Sequence, residues 1–249
     1  MTQDFETLVG EAQRQPFSGW DFSYLAGRYL EEKVSWDYKS LVLERMEGVK
    51  SMLDLGTGGG EFLSSLQPLP KETFATEAYP PNVPIAKGRL GPLGVKLLEV
   101  SSDDKLPFEE SFFELVIDRH ESFDAAEIFR ILKPGGRFVT QQVGPQNNRE
   151  ISELFQVGSP YHWTLEIGSA ELEDAGFSIF CTKDELHKAA FSDVGALVYY
   201  LKAIPWEVPD FSIERNDAQL RNIHALIQAN GRFEVTNQRC LIEATKPGG

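Results

Sequence analysis

The chain has 249 residues and a net charge of −14 at pH 7, from 38 acidic and 24 basic side chains. Affinity for nucleic acid comes largely from Lys and Arg side chains that neutralise phosphates, so this balance disfavours a nucleic-acid partner. The sequence has no apolar run of membrane-spanning length and no signal-peptide pattern at its start, so we expect a soluble cytoplasmic protein without a membrane partner. Cys181 and Cys240 are not spaced as zinc ligands, and no metal is predicted.

Residues 1–48 are rich in aromatic and acidic side chains and are predicted to form helical pieces. From residue 51 onward, apolar runs of β-type residues alternate with helical or loop segments. This alternation is typical of an α/β fold, in which helices cover both faces of a mostly parallel sheet. The predicted strands are Ser51–Leu55, Thr73–Thr76, Val95–Val100, Phe113–Asp118, Gly136–Val143, Phe177–Thr182 and Arg239–Ala244.

The first predicted strand runs into a glycine-rich turn with the spacing Asp54-x-Gly56-x-Gly58-x-Gly60. Glycine tolerates positive φ and lets the backbone approach a nucleotide-like ligand. A dinucleotide fingerprint needs a third small residue where this chain has Glu61. The carboxylate of Glu61 would also oppose a pyrophosphate at the start of the next helix. A dinucleotide is therefore disfavoured as the ligand of this turn.

Further motifs follow the glycine turn in order: Glu77 after the second strand, Ser102 to Phe108, the strand ending at Asp118, and the turn Lys133 to Gly136. The ordered series resembles class I S-adenosylmethionine-dependent methyltransferases, from about residue 50 to about residue 143, with a looser match to the C-terminus. Within them it is similar to small bacterial-type enzymes whose acceptors are mostly unassigned. The resemblance implies a Rossmann-like, doubly wound, mostly parallel sheet of seven strands.

The resemblance also implies that S-adenosylmethionine is the cofactor. Glu77 would accept hydrogen bonds from both ribose hydroxyls. The position that normally binds the adenine amino group is Ser102 in this chain, with Asp103 beside it, and we assign the pair without choosing between them. Asp118 is expected on the cofactor side or in a structural role. The predicted cofactor-binding residues are Asp54, Gly56, Thr57, Gly58, Gly60, Glu77, Ser102, Asp103 and Asp118.

The loop after the fourth strand reads Asp118-Arg-His-Glu-Ser122, where the family places residues that face the methyl acceptor. His120 is the candidate general base, because imidazole titrates near neutral pH. A purely structural role for His120 stays open, and Glu121 is a candidate to orient it. In the N-terminal segment, Trp36 and Tyr38 are candidates to close over the cofactor or acceptor. Arg28 either pairs with the cofactor carboxylate or forms an ordinary ion pair.

The chain is predicted to form a single domain over residues 1–249. Residues 1–48 are expected to form a helical N-terminal lid, 49–143 the cofactor-binding half, and 144–249 a substrate-side half with a C-terminal cap at 186–235. Aromatic side chains in the second half are candidates to line an acceptor pocket. These are Tyr161, His162, Trp163, Tyr199, Tyr200 and Trp206.

The function that these expectations predict is methyl transfer from S-adenosylmethionine to a small molecule by in-line displacement. In such a displacement the protein mainly holds the acceptor atom close to the methyl group and opposite the sulfur. Three alternatives stay open. They are an NAD(P)-binding oxidoreductase, a protein that binds S-adenosylmethionine without catalysis, and an RNA methyltransferase. The sequence leaves the acceptor and the oligomeric state undetermined.

Overall fold

A computed structural model describes residues 4–102 and 105–248 of the chain. Its helices are α1 Phe5–Arg14, α2 Tyr38–Arg45, α3 Glu61–Ser64, α4 Val83–Leu90, α5 Ala125–Ile131, α6 Arg149–Phe155, α7 Leu165–Asp174, α8 Val194–Ala203 and α9 Asp217–Asn230. Its strands are β1 Tyr29–Glu31, β2 Ser51–Leu55, β3 Glu72–Glu77, β4 Lys96–Glu99, β5 Phe113–Arg119, β6 Leu132–Val143, β7 Ser178–Phe191 and β8 Phe233–Thr245. No helix in the described ranges is long and apolar enough to cross a bilayer.

The strands form one sheet in the order β1-β7-β8-β6-β5-β2-β3-β4. Five neighbouring strands pair in parallel, in the order β6-β5-β2-β3-β4. Strand β8 is antiparallel to both β6 and β7. Within the described residues the sheet has eight strands, so the expected count of seven is wrong. The additional strand, β1, is a three-residue segment that pairs antiparallel with the end of β7. Its conformation depends on that edge, which explains why the local sequence does not reveal it.

Helices cover both faces of the sheet, as the doubly wound topology predicts. Side chains alternate between the two faces along each strand. Met52 of β2 belongs to a core with α2, α3 and α4, and the next residue, Leu53, belongs to a second core with α5 and α7. All five residues of β2 are buried, because this strand lies between β5 and β3 in the centre of the sheet.

A third core joins the two ends of the chain. Helix α8 is apolar around most of its circumference, and α1 packs against it. The amphipathic face of α9 and the extended ends of β7 and β8 complete this core. Asp193 caps α8 by accepting the amide N–H of Ala196, and it also pairs with Arg28 at 2.5 Å. The N-terminal segment and the C-terminal helices therefore pack together beside the carboxyl edge of the sheet.

Candidate active site

The glycine turn after β2 adopts a conformation that requires glycine. Gly56, Gly58 and Gly60 have φ of +61°, +62° and +80°. A β-carbon at Gly56 would collide with the side chain of Glu121, and one at Gly58 would collide with the indole of Trp20. The turn is held to β3 by a 2.8 Å hydrogen bond from the Thr57 N–H to the Thr76 carbonyl. The missing side chains therefore let Glu121 and Trp20 approach the backbone of this loop closely.

Asp54, Glu77 and Asp118 lie at the carboxyl ends of three adjacent strands, β2, β3 and β5. All three are buried, with exposed fractions of 3%, 4% and 0%. Burial raises the pKa of Asp54 to about 7. Burial also raises the pKa of Glu77, although hydrogen bonds from the amides of Tyr79 and Gly58 oppose it. The sheet thus collects carboxyl groups around the glycine turn, where a ligand with donor groups or positive charge would relieve their desolvation.

The Asp118 carboxyl group is fixed by its neighbours. Its Oδ2 accepts hydrogen bonds from Thr140 Oγ1 at 2.9 Å and from Gln142 Nε2 at 2.7 Å, and its Oδ1 accepts the Glu121 N–H at 3.1 Å. Burial raises the pKa of Asp118 well above its usual value, against these hydrogen bonds. The Tyr38 hydroxyl donates to the Asp118 carbonyl at 2.7 Å. Asp118 therefore holds the loop that carries His120.

His120 adopts an unusual backbone conformation, with φ of +66°. Its N–H donates to the Gln141 carbonyl at 2.8 Å, and its Nε2 lies 3.2 Å from the Gln141 side-chain nitrogen. His120 is exposed, yet protein surrounds it on several sides, so it lies in a recess. The surrounding protein, with Arg239 and Arg119, lowers the pKa of His120 well below its usual value.

The Gln141 side chain defines the protonation of His120. The indole N–H of Trp36 can only donate, and it donates to Gln141 Oε1 at 2.9 Å. The Gln141 amide NH₂ therefore faces His120, whose Nε2 must be the unprotonated acceptor of a neutral ring. The neutral state agrees with the lowered pKa. Gln141 therefore orients His120.

The remaining sequence predictions have different outcomes. Ser102 is exposed after β4, and Asp103 lies outside the described residues. Glu61 forms an ion pair with Arg89, which compensates its negative charge. The argument against a pyrophosphate at this position therefore depends mainly on the size of the Glu61 side chain.

The structure also shows the contacts of three candidate residues in the N-terminal segment, Arg28, Trp36 and Tyr38. Trp36 and Tyr38 are buried and bonded to β5 and β6, as described above. Arg28 forms the ordinary ion pair, with Asp193.

Trp20 covers the glycine turn. Its indole stacks on Phe22 with ring centroids 5.8 Å apart and meets Trp206 edge to face at 6.1 Å. The Trp20 side chain is 40% exposed and is not part of a buried core. Trp206 was a sequence candidate for the acceptor pocket, whereas Trp20 was not. The contact between Trp20 and Gly58 joins segments that are far apart in the sequence, so no local sequence pattern predicts it.

The site region matches known proteins. Residues 53–140 match a family model described as a methyltransferase domain. A candidate methyltransferase from Bacillus halodurans C-125 has a TM-score of 0.63 and 19% identity, over 85% of this chain and 99% of that one. The YcgJ protein from Bacillus subtilis has a TM-score of 0.59 and 16% identity, over 85% of this chain and 99% of that one.

A third structure, geranyl diphosphate methyltransferase in complex with S-adenosylmethionine, has a TM-score of 0.51 and 17% identity over 84% of each chain. At these identities the three structures establish the fold. No match was found among the curated proteins. The segment from β2 to β6 therefore matches a methyltransferase domain, and the resemblance to class I S-adenosylmethionine-dependent methyltransferases is confirmed.

Proposed function

We propose that the protein transfers a methyl group from S-adenosylmethionine to a small molecule in the cytoplasm. The observation that carries this proposal is the set of buried carboxyl groups around a glycine turn, at the carboxyl ends of β2, β3 and β5. Ligands of open α/β sheets bind beyond these ends. The matched methyltransferase domain spans the same strands. The acidic net charge supports a small acceptor rather than RNA.

The residues present fit S-adenosylmethionine. The buried Thr57 hydroxyl has no partner in full hydrogen-bond geometry among the described residues, although it lies close enough to Asp54 to lower the pKa of that carboxyl, and it leaves a polar atom in the glycine turn for a ligand. The Glu77 carboxylate at the end of β3 would hold the ribose hydroxyls, and Ser102 with Asp103 the adenine. Asp54 would hold the cationic portion, which carries an ammonium and a sulfonium. Asp118 would keep the acceptor-side loop in place.

Bound S-adenosylmethionine supplies an electrophilic methyl group on a sulfonium centre. The chain positions the acceptor, and His120 is neutral at pH 7 because its pKa is lowered. A neutral imidazole can accept a proton that the acceptor loses, provided that the Gln141 amide turns away from Nε2. His120 is thus the proposed base, and Gln141 is the residue that positions it.

We further propose that residues 1–48 and the cap at 186–235 cover the acceptor. Both segments contribute to the shared core of α1, α8 and α9 beside the carboxyl edge. Trp20 lies directly against Gly58, so the N-terminal segment must move for a ligand to reach the loop. Its return over the bound ligands would exclude water from the methyl group and acceptor.

Calorimetric titration with S-adenosylmethionine, S-adenosylhomocysteine, NAD and NADP tests the proposal. We expect binding of the first two ligands, and loss of that binding in Asp54→Asn and Glu77→Gln. Binding of a dinucleotide alone would contradict the proposal. Release of S-adenosylhomocysteine with a panel of small acceptors then distinguishes an enzyme from a protein that only binds the cofactor.

A further inference from the structure

A cluster of buried polar side chains lies beyond the carboxyl edge of the sheet, apart from the glycine turn. We call it the acceptor-atom cluster, and it consists of Asn148, His187, Glu207 and Asn237. Their exposed fractions are 0%, 9%, 0% and 1%. Each has one buried atom with no hydrogen-bond partner among the described residues. These atoms are Asn148 Oδ1, His187 Nδ1, Glu207 Oε2 and Asn237 Oδ1.

The three unpartnered oxygens, those of Asn148, Glu207 and Asn237, are hydrogen-bond acceptors. The Asn148 NH₂ group must face the Glu207 carboxylate, because its oxygen would be repelled there, and it also donates to the Tyr200 hydroxyl at 2.8 Å. For the same reason the Asn237 NH₂ faces Glu31 at 2.8 Å. His187 Nε2 lies 2.9 Å from Glu31. None of the three oxygens therefore has a donor in hydrogen-bond geometry among the described residues.

Among the described residues, Glu207 forms no ion pair, although the charge of Arg239 acts on it from further away. Glu31, by comparison, contacts Arg239 at 3.1 Å in addition to His187. Burial would raise the pKa of Glu31, but Arg239 and the hydrogen bonds from His187 and Asn237 hold it below its usual value. Glu207 receives hydrogen bonds from Asn148 and, at 3.4 Å, from the Tyr161 hydroxyl, and the Tyr200 hydroxyl lies close enough to lower its pKa. A buried carboxylate of this kind favours a ligand with positive charge.

The cluster lies on the acceptor side of the candidate active site. Asn237 and Arg239 share a face of β8 with Leu241, since alternate residues point to the same side. Leu241 packs in the core that contains Trp36, the partner of Gln141. Arg239 pairs with Val143 of β6, two residues beyond Gln141, and its charge influences both His120 and Glu207. Arg239 therefore lies near both the acceptor-atom cluster and His120.

We propose that the acceptor-atom cluster binds a protonated amine on the methyl acceptor, with the ammonium group donating to Glu207 Oε2 and to the side-chain oxygens of Asn148 and Asn237. An ammonium group supplies up to three donors and a positive charge, which matches three unpartnered oxygens and one carboxylate. This assignment of the substrate class rests on the proposed methyl transfer.

Matched amine and alcohol probes test the assignment. Calorimetry and thermal unfolding would compare n-butylammonium chloride and benzylammonium chloride with n-butanol, benzyl alcohol and potassium chloride. We expect binding and stabilisation by the two amines alone. Glu207→Gln keeps the shape of the side chain and an oxygen that can accept from Asn148. It should weaken amine binding by at least about tenfold.

Glu153→Gln, on the exposed side of α6, is the matched control and should leave amine binding unchanged. Equal effects of amines and alcohols, or retained amine binding in Glu207→Gln, would overturn the assignment. Titration with S-adenosylmethionine in the same variants separates the two proposals, because Glu207→Gln should leave cofactor affinity intact. Cofactor binding without amine binding refutes only the assignment, whereas absence of cofactor binding refutes the proposed function.

Discussion

Gln141 holds His120 across the β5–β6 boundary, with its carbonyl 2.8 Å from the His120 N–H and its side-chain nitrogen 3.2 Å from His120 Nε2. Trp36 fixes the direction of the Gln141 amide from the N-terminal segment. The candidate base is therefore controlled by residues on two other elements. Its neutral state follows from this arrangement as well as from its surroundings.

Gln141→Glu should raise the pKa of His120. A carboxylate at this position still accepts the Trp36 N–H, but it faces the imidazole with negative charge instead of an amide donor. An opposite charge at this distance raises a histidine pKa by roughly one to three. An NMR titration of the His120 ring measures the change. Gln67→Glu adds the same charge at an exposed position and should leave the titration unchanged. An unchanged pKa in Gln141→Glu would mean that Gln141 does not face the ring.

Gly58→Ala should abolish tight binding of S-adenosylmethionine, because the added methyl group would occupy the side of the loop that Trp20 now covers and that the ligand must approach. It should also reduce stability by about 1–2 kcal/mol, since φ is +62° at this position. Gly94→Ala is the control, with φ of +78° and a β-carbon clear of the described residues. Gly94→Ala should lose similar stability while keeping cofactor affinity. Equal cofactor affinity in the two variants would show that the turn is only structural.

Binding of S-adenosylmethionine should change tryptophan fluorescence through Trp20. The indole lies on Gly58 and must be displaced when a ligand occupies the loop. Trp20→Phe should remove most of the change. Trp163→Phe is the control, because Trp163 packs against Gly168 of α7. A fluorescence change that persists in Trp20→Phe and disappears in Trp163→Phe would place the movement elsewhere.

Glu207 should make the protein less stable as the pH rises. Burial raises its pKa to about 7, from an ordinary value of 4.5. Between these values the folded state binds more protons than the unfolded state, so the free energy of unfolding falls with increasing pH. Glu207→Gln removes this dependence, and the stability of the variant relative to wild type should rise by up to about 3 kcal/mol between pH 5 and pH 8. Urea unfolding of both proteins at pH 5 and pH 8 measures this change. A difference in free energy of unfolding that does not vary with pH would contradict the raised pKa of Glu207.

The sequence predicted the features that are encoded locally. The strand into the glycine turn and Glu77 at the end of β3 follow from short patterns of apolar and turn residues. The contact between Gln141 and His120 requires the register of β5 against β6, which no local pattern supplies. Asn148 meets Glu207 across 59 positions, in a cap whose packing depends on α1 and α8. The extra strand β1 likewise depends on the edge of β7.

A crystal structure of the protein with S-adenosylhomocysteine tests the central claim most directly. The account predicts that the ligand lies against Gly56, Gly58 and Gly60, with the Glu77 carboxylate at the ribose hydroxyls and Trp20 displaced from Gly58. The His120 recess should open toward the ligand sulfur. Binding of the ligand elsewhere, or a glycine turn still covered by Trp20 at saturating ligand, would contradict the account.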